Sequence, residues 1–358
     1  MLFGITEEAF SSFLLQANRR TLAETIRFFF EADDQTVEEL RAWAGKARDK
    51  MYGKRVFFRA LIEFSSWCKN DCYYCGLQRS NQNAVRYRLS DDEIISCCRT
   101  AYERGIRTFV LQSGEDPSYS DFRLCRLITE IKEQFPDSAV TLSVGERSPD
   151  SYQRLFDAGA DRYLLRHESA NEDHYRKLHP PTQRLCDRKR CLFHLKEIGY
   201  EVGTGFMVDS PDQTNETLAD DFIFLRELKP DMIGIGPFIP HHDTRFAGYE
   251  FPSAKHTLIL LSLIRVMLPG VLLPATTALA AADDRGFEKG LMAGANVLMP
   301  NASPLKRRDA YALYDHKPNE GKGTIEQWHQ WVHWVESLGL QPDFSRGDSK
   351  MKQMDGER

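Results

Sequence analysis

Three cysteines carry the most specific chemical signal in this sequence. Cys68, Cys72 and Cys75 occur at C-x3-C-x2-C spacing within FSSWCKNDCYYCGL, residues 64–77. Cysteine thiolates are ligands for zinc and for iron–sulfur clusters. A [4Fe–4S] cluster normally takes four cysteines, whereas three leave one iron open to a further ligand, as a catalytic metal keeps an open position. The spacing favours such an open cluster over the alternatives, a zinc site with a distant fourth ligand or three packed cysteines.

The composition argues against nucleic acid, a membrane and a disulfide framework. The 358 residues include 47 Lys and Arg and 52 Asp and Glu, a net charge of -5 without a basic stripe. The most apolar region, residues 257–282, is interrupted by an arginine, a glycine and two prolines, so it does not read as a bilayer span. MLFGITEEAF at the N-terminus lacks the pattern of an export signal. We therefore expect a cytoplasmic protein whose clustered cysteines hold a metal.

Eight apolar, β-rich runs alternate with helical segments and must position these cysteines. Strands that are apolar on both faces predict a parallel sheet covered by helices, and eight such units predict a (β/α)8 TIM barrel. We expect an N-terminal helical extension at 1–54, the barrel at 55–316, and a C-terminal helix with a loose tail at 317–358. The runs are 55–64, 108–114, 139–145, 161–168, 201–208, 231–238, 271–279 and 296–301.

Polar motifs follow several predicted strands, at the end of a barrel that carries chemistry. LQSGEDP (111–117) and RHESAN (166–171) follow the second and fourth strands. Buried charges at such positions need a partner, and a zwitterionic ligand supplies one; an ordinary turn and a solvated loop are the alternatives. The glycines of IGIGPFIPHHDT (233–244) let a flat base approach the backbone.

Arg166 together with Thr276 and Thr277 fits an anion pocket inside the barrel. A planar guanidinium and two hydroxyls suit a carboxylate. The alternative is a salt-bridged arginine beside two strand threonines. Metal ligation by His241 and His242 is the less favoured hypothesis for that pair.

The remaining cysteines and the tryptophans have structural interpretations. Helical segments carry small core cysteines at Cys97, Cys98, Cys125 and Cys191, whereas Cys186 is ambiguous. Trp328, Trp331 and Trp334 occur at i, i+3 spacing and predict a packing stripe that closes the barrel bottom.

The cysteine motif after the first barrel strand, with the aromatic Tyr74 before its last cysteine, resembles the radical S-adenosylmethionine (SAM) superfamily. The resemblance implies that SAM chelates the open iron and that one electron splits it into methionine and a 5′-deoxyadenosyl radical. No catalytic side chain beyond the cluster and SAM is then needed. The resemblance places the cofactor, including SAM's ammonium at the Gly114–Glu115 turn, on Tyr74, Ser113, Gly114, Glu115, Glu168, Ser169, Arg188, Met207 and Gly236. For Met207, an ordinary core methionine is the alternative. For Arg188, the alternatives are Arg184 and Arg190 of the same segment, RLCDRKR.

Six motifs in order resemble the HydE-type maturases of [FeFe]-hydrogenase over about residues 55–316. The resemblance implies a barrel with a large internal cavity and a substrate that is a cysteine-bound iron carbonyl cyanide unit. It places the substrate carboxylate at Arg166, Thr276 and Thr277. It also implies other H-cluster maturases as partners, and reduced flavodoxin or ferredoxin as electron donor. The motifs are LIEFSSWCKNDCYYCGL, LQSGEDP, LLRHESAN, IGIGPFIPHHDT, PATTAL and GANVLMPN.

Two features depart from that family. Some members bind a second cluster near the C-terminus, but this sequence has no cysteine after Cys191, so we predict one cluster. VDSPDQT (208–214) adds two aspartates where the family usually reads like G-L-P-G-Q-T. The rival hypotheses are a biotin-synthase-like or methylornithine-synthase-like enzyme acting on an amino-acid-like substrate, and a non-catalytic cluster carrier.

Overall fold

The computed structural model describes residues 4–318 and 324–351. Within them, three helices precede the first strand, and further helices alternate with the strands. The helices are α1 (Glu7–Gln16), α2 (Arg19–Glu31), α3 (Asp34–Tyr52), α4 (Asp91–Glu103), α5 (Asp121–Gln134), α6 (Pro149–Asp157), α7 (Glu172–Leu178), α8 (Leu185–Ile198), α9 (Asn215–Leu228), α10 (Lys255–Met267), α11 (Thr277–Ala282), α12 (Gly286–Met292), α13 (Leu305–Arg308) and α14 (Trp328–Ser337), with a 3-10 turn at Ile325–Gln327.

The strands form a closed, parallel barrel. They are β1 (Arg55–Phe58), β2 (Ala60–Ser65), β3 (Thr108–Ser113), β4 (Ala139–Ser143), β5 (Arg162–Leu164), β6 (Glu201–Thr204), β7 (Met207–Val208), β8 (Met232–Ile233), β9 (Gly236–Pro237), β10 (Val297–Leu298) and β11 (Gln341–Asp343).

Strand pairing confirms the predicted (β/α)8 barrel. One sheet runs β2-β3-β4-β5-β6-β8. Bridges from Met232 to Leu272 and from Pro274 to Val297 continue it, and β10 pairs with β1 to close the circle. Its helical layer includes the N-terminal extension, in which α2 packs on α9 and α3 packs on α10.

The seventh predicted strand is shorter than expected. Backbone bridges occur only at Leu272 and Pro274, and α11 begins at Thr277. Thr276 caps that helix, with its hydroxyl oxygen accepting a hydrogen bond from the Leu279 amide at 3.4 Å. The prediction of a strand through residue 279 was wrong because TALAAA is a good helix former directly after a cap.

The C-terminal strap, residues 341–351, closes the barrel bottom. β11 pairs with β1, and the carbonyl oxygens of Arg346 and Gly347 accept hydrogen bonds from the buried Arg162 and Arg59. The expected loose tail is therefore wrong for residues 343–351, while 352–358 lie outside the described residues. A Cβ on Gly347, which has φ +57°, would lie 2.6 Å from the Phe57 ring, so glycine is required.

The Trp-rich helix forms a packing stripe against β1 and the strap. Trp328 and Trp331 are buried, and both rings meet Phe58 edge-on, with centroids 5.1 and 6.3 Å away. Phe344 of the strap packs on Trp328. The stripe therefore holds the strap against the outer layer, and the strap itself closes the bottom. Among the described residues, no helix is long and apolar enough to cross a membrane.

Candidate active site

The loop after β2 carries the three cysteines and is fixed at several points. The Lys69 amide donates to the Glu115 carbonyl at 2.9 Å, and the Tyr73 amide donates to the Leu178 carbonyl at the same distance. Gly76 donates to a carbonyl of the segment beyond the eighth strand. These bonds join the loop to the ends of β3 and α7 and so fix the positions of its cysteines.

The thiols of this loop suit a metal cluster. All three are free, and burial raises the pKa of each, to about 12 for Cys72. Cys68 and Cys72 also raise the pKa of Cys75, so the three thiolates repel one another. Bound iron removes that repulsion, which makes the donor set a good match for an iron–sulfur cluster.

The other five cysteines lie on helices away from this loop. Cys97 and Cys98 are buried in α4 as predicted, and Cys125 and Cys191 are half-buried. Cys186 is exposed on α8, which resolves its ambiguous sequence assignment in favour of a surface residue.

Gly114 and Glu115 form a tight corner between the cysteine loop and the end of β3. A Cβ on Gly114 would lie 2.3 Å from the Trp67 carbonyl oxygen, so only glycine fits. The Glu115 carboxylate accepts a hydrogen bond from the Glu146 amide at 3.0 Å, and Lys69 lies 3.2 Å away. A negative charge is thus held beside the cysteines at the carboxyl ends of the strands.

Glu168 adopts a left-handed backbone conformation at the end of the fourth barrel strand. Its φ is +62°, an uncommon value for a non-glycine residue, and its amide bonds to Gly205 at 3.0 Å. Strain of this kind is concentrated at functional sites. The Glu168 Oε2 lies 3.1 Å from Arg166 Nη2.

The charged groups around Glu168 are close but poorly aligned for hydrogen bonds. Buried Arg166 Nε and Nη2 and Glu168 Oε2 have no hydrogen-bond partner among the described residues. Arg188 Nε and Glu146 Oε1 stand 2.6 Å apart and are likewise not aligned as a hydrogen bond. Buried polar groups normally find partners. Unused donors and acceptors of both signs therefore fit a zwitterionic ligand.

An internal cavity of about 350 Å³ joins these groups. Its size lies within the range of small-molecule sites. Most predicted cofactor and substrate residues line it, namely Tyr74, Cys75, Ser113, Arg166, Glu168, Arg188, Met207, Gly236, Thr276 and Thr277. Cys68, Cys72, Gly114 and Glu115 are not in its wall, although they adjoin Cys75 through the loop.

Ser169 is the predicted site residue whose side chain is committed elsewhere. It is fully buried, and its hydroxyl accepts a hydrogen bond from the Asn171 amide and lies 2.9 Å from His174 Nδ1. It supports the start of α7 rather than the cavity wall.

The predicted anion pocket is only partly available. Thr276 donates to the Ile235 carbonyl at 3.3 Å, and Thr277 lies 3.0 Å from the Tyr314 hydroxyl. Arg166, whose Nε and Nη2 make no aligned hydrogen bond with the described residues, therefore remains the strongest donor for a carboxylate in this pocket.

One side of the cavity, formed by the roof segment, residues 309–318, was not predicted from the sequence. Tyr311, Tyr314 and Lys317 line the cavity, and Lys317 Nζ lies 2.5 Å from the Glu63 carboxylate. Both partners are almost fully buried. The sequence feature that could have indicated this side is Glu63, a single acidic residue within the apolar strand ALIEFS, because a buried carboxylate needs a partner.

His241, His242 and Asp315 are brought together near the roof segment. His241 Nδ1 accepts a hydrogen bond from Asp243, and His242 Nδ1 pairs with Asp315 at 2.7 Å. Because these nitrogens are already engaged, a metal remains the less favoured interpretation.

The two aspartates of VDSPDQT point away from the cavity. Asp209 lies 2.8 Å from His256 and Asp212 lies 3.2 Å from Lys177. The departure from the family motif therefore adds surface contacts, while Gln213 donates to the Met207 carbonyl at 2.7 Å and supports the cavity wall.

Comparison with known proteins agrees with this geometry. The family model "Radical SAM superfamily" matches residues 62–225. The chain is 47% identical over 280 residues to the [FeFe] hydrogenase maturase subunit HydE of Thermotoga maritima, covering 78% of this chain and 80% of that protein. The chain therefore belongs to the HydE family of the radical SAM superfamily.

Two further similarities extend over nearly the whole fold. The 3-methylornithine synthase of Methanosarcina barkeri is 30% identical over 311 residues, 86% of this chain and 85% of that protein. The crystal structure of methylornithine synthase (PylB) covers 97% of this chain and 99% of that chain, with a TM-score of 0.79 and 25% identity.

Proposed function

We propose that the chain is a radical SAM enzyme in [FeFe]-hydrogenase H-cluster assembly, acting on a cysteine-bound iron carbonyl cyanide precursor. Cys68, Cys72 and Cys75 hold one [4Fe–4S] cluster. The bound cluster supplies one electron for reductive cleavage of SAM to a 5′-deoxyadenosyl radical. The kinship with a hydrogenase maturase supports this reaction.

The chain's own residues bind and orient the ligands. The Glu115 and Glu168 carboxylates suit SAM's ammonium and ribose hydroxyls, and Tyr74 and Gly236 offer an aromatic and a flat backbone surface for adenine. The barrel wall excludes water from the cavity, which protects a radical from side reactions.

The substrate assignment depends on the lack of hydrogen-bond partners, among the described residues, for two nitrogens of Arg166. Arg166 lines the cavity, and its buried Nε and Nη2 have no hydrogen-bond partner in the described part of the chain. A carboxylate of a cysteine or another amino acid satisfies both nitrogens in a bidentate pair. Thr277 and Tyr314 then complete the polar end of the pocket.

Arg166→Lys tests this assignment because it keeps the charge but loses the planar fork. We expect SAM cleavage without substrate to persist and turnover of the cysteine-bound iron complex to fall at least tenfold. The measurement is the ratio of 5′-deoxyadenosine formed to hydrogenase matured in a coupled assay. An equal loss of both activities assigns Arg166 to SAM through its contact with Glu168, and the substrate assignment fails.

A methylornithine-synthase-like reaction is the second candidate, supported by the coverage and TM-score of that structure. Arg166 suits the carboxylate of an amino-acid substrate equally well, so product analysis with free amino acids and with the iron complex separates the two. We further propose a cytoplasmic location, reduced flavodoxin or ferredoxin as electron donor, and the other H-cluster maturases as partners.

A further inference from the structure

Arg86 lies against the cysteine loop and contacts both ends of it. Its Nη1 donates to the carbonyl oxygens of Ser66 at 2.6 Å and Leu77 at 3.0 Å. Its Nη2 donates to those of Gln78 at 2.7 Å and Asn81 at 3.4 Å. Ser66 precedes the first cysteine of the motif, and the other three acceptors follow the last. One guanidinium therefore ties the start of the loop to its end.

The positive charge of Arg86 has no carboxylate partner among residues 4–318 and 324–351. Two neighbouring arginines differ in this respect. Arg88 forms a two-pronged pair with buried Asp116, at 2.7 and 2.9 Å. Arg79 lies 2.8 Å from Asp71. Neutral carbonyls accept hydrogen bonds from Arg86 without cancelling its charge, so its field acts on the loop.

The thiols of Cys68 and Cys75 lie within reach of that field. Burial lowers the pKa of Arg86, and the two thiolates act in the opposite direction. The guanidinium is therefore a nearby cation for a cluster that becomes more negative on reduction. Hydrogen bonds, net charge and exposure are the properties that set the potentials of iron–sulfur clusters.

We propose that Arg86 is a positioning residue for the cluster, with two separable effects. Its planar fork clamps the cysteine loop, and its unpaired charge raises the reduction potential of the cluster. Lysine retains the charge but not the fork, whereas glutamine retains neither. The inference rests on the proposed cluster at Cys68, Cys72 and Cys75.

The test compares Arg86→Lys, Arg86→Gln and the parent as anaerobically reconstituted holo-proteins. Arg79→Gln is the matched control, because Arg79 makes no bond to these carbonyls and is 71% exposed, so water screens the loss of its charge. Iron loss to a chelator reports the clamp, and the midpoint potential from an EPR-monitored redox titration reports the field.

We expect both Arg86 variants to lose iron several-fold faster than the parent. Only Arg86→Gln is expected to shift the one-electron equilibrium towards the oxidised cluster, by at least about threefold, or about 30 mV. Arg79→Gln is expected to change neither quantity. Parent-like iron loss in Arg86→Lys overturns the clamp, and a parent-like potential in Arg86→Gln overturns the field.

A second pair of variants covers the case in which Arg86→Gln retains too little cluster for titration. Val85 is exposed and directly precedes Arg86, so Val85→Glu introduces a negative charge next to that position, with Val85→Gln as the uncharged control. We expect a lower potential in the glutamate variant than in the glutamine variant, and equal potentials refute the field. A parent that binds no iron refutes the proposed function instead, which keeps the two failures distinct.

Discussion

Lys317→Met removes the positive partner of a buried ion pair between the roof segment and the barrel. Lys317 Nζ lies 2.5 Å from Glu63 Oε1, and the two side chains are 4% and 1% exposed. Asn301 donates to the other carboxylate oxygen at 2.9 Å. After the change, Glu63 Oε1 has no cationic partner and little access to water.

The expected cost follows from that burial. Removing one partner of a buried pair typically costs ~3–5 kcal/mol because the remaining charge stays desolvated. We therefore expect the free energy of unfolding to fall by ~3 kcal/mol or more. Replacing both groups, in Glu63→Gln with Lys317→Met, removes the stranded charge and is expected to recover most of the loss.

Urea unfolding of the single and double variants measures this coupling. Arg20→Met is the matched control, because the Arg20–Glu24 pair is 88% and 53% exposed and such pairs contribute ~0–1 kcal/mol. Hydrogen exchange of residues 309–318 shows whether the loss appears as local opening of the roof segment. A cost below ~1 kcal/mol for Lys317→Met, or a double variant as unstable as the single one, refutes the buried pair.

Three further predictions concern the cluster and the core. Cys72→Ala is expected to abolish the cluster, whereas the parent should bind about four irons per chain; about eight in an iron assay contradict a single cluster. Gly114→Ala places a Cβ 2.3 Å from the Trp67 carbonyl oxygen and is expected to reduce reconstituted iron, whereas Gly45→Ala, with open space around it, should not. Burial raises the pKa of Asp221 from its ordinary value of 3.8 to about 8, so the folded state keeps a proton that the unfolded chain loses, and stability falls as pH rises. Urea unfolding of the parent should show this as a slope of ~1.4 kcal/mol per pH unit near pH 6.5 that falls to about half near pH 8, and Asp221→Asn removes this slope.

The barrel and the cysteine motif were predictable because both depend on patterns among residues that are close in the sequence. Apolar runs of strand length alternate with helices, and the cysteines follow the first strand directly. Arg166 and Glu168 could also be predicted from a local pattern, because charged residues at the end of a buried strand need a ligand or a partner. Their unpaired nitrogens and oxygen became visible only in three dimensions.

The strap and the roof segment were not predictable because their contacts are non-local. The strap binds through backbone carbonyls at Arg346 and Gly347, which a charged composition does not reveal. Lys317 meets Glu63 across 254 positions of the sequence. Ser169 was assigned to the cofactor from its place in a motif, yet its hydroxyl serves His174.

The strap also has a consequence for synthesis of the protein. Arg59, in the first barrel strand region, donates to Gly347, which is 288 positions later. At ~5–20 residues per second, a ribosome needs roughly 15–60 s to make the intervening chain. During that time the lower end of the nascent barrel is open. Arg59, which is buried in the folded protein, then lacks its acceptor at Gly347. The growing chain therefore offers chaperones a long-lived binding target, and slower translation of the last segment lengthens that exposure.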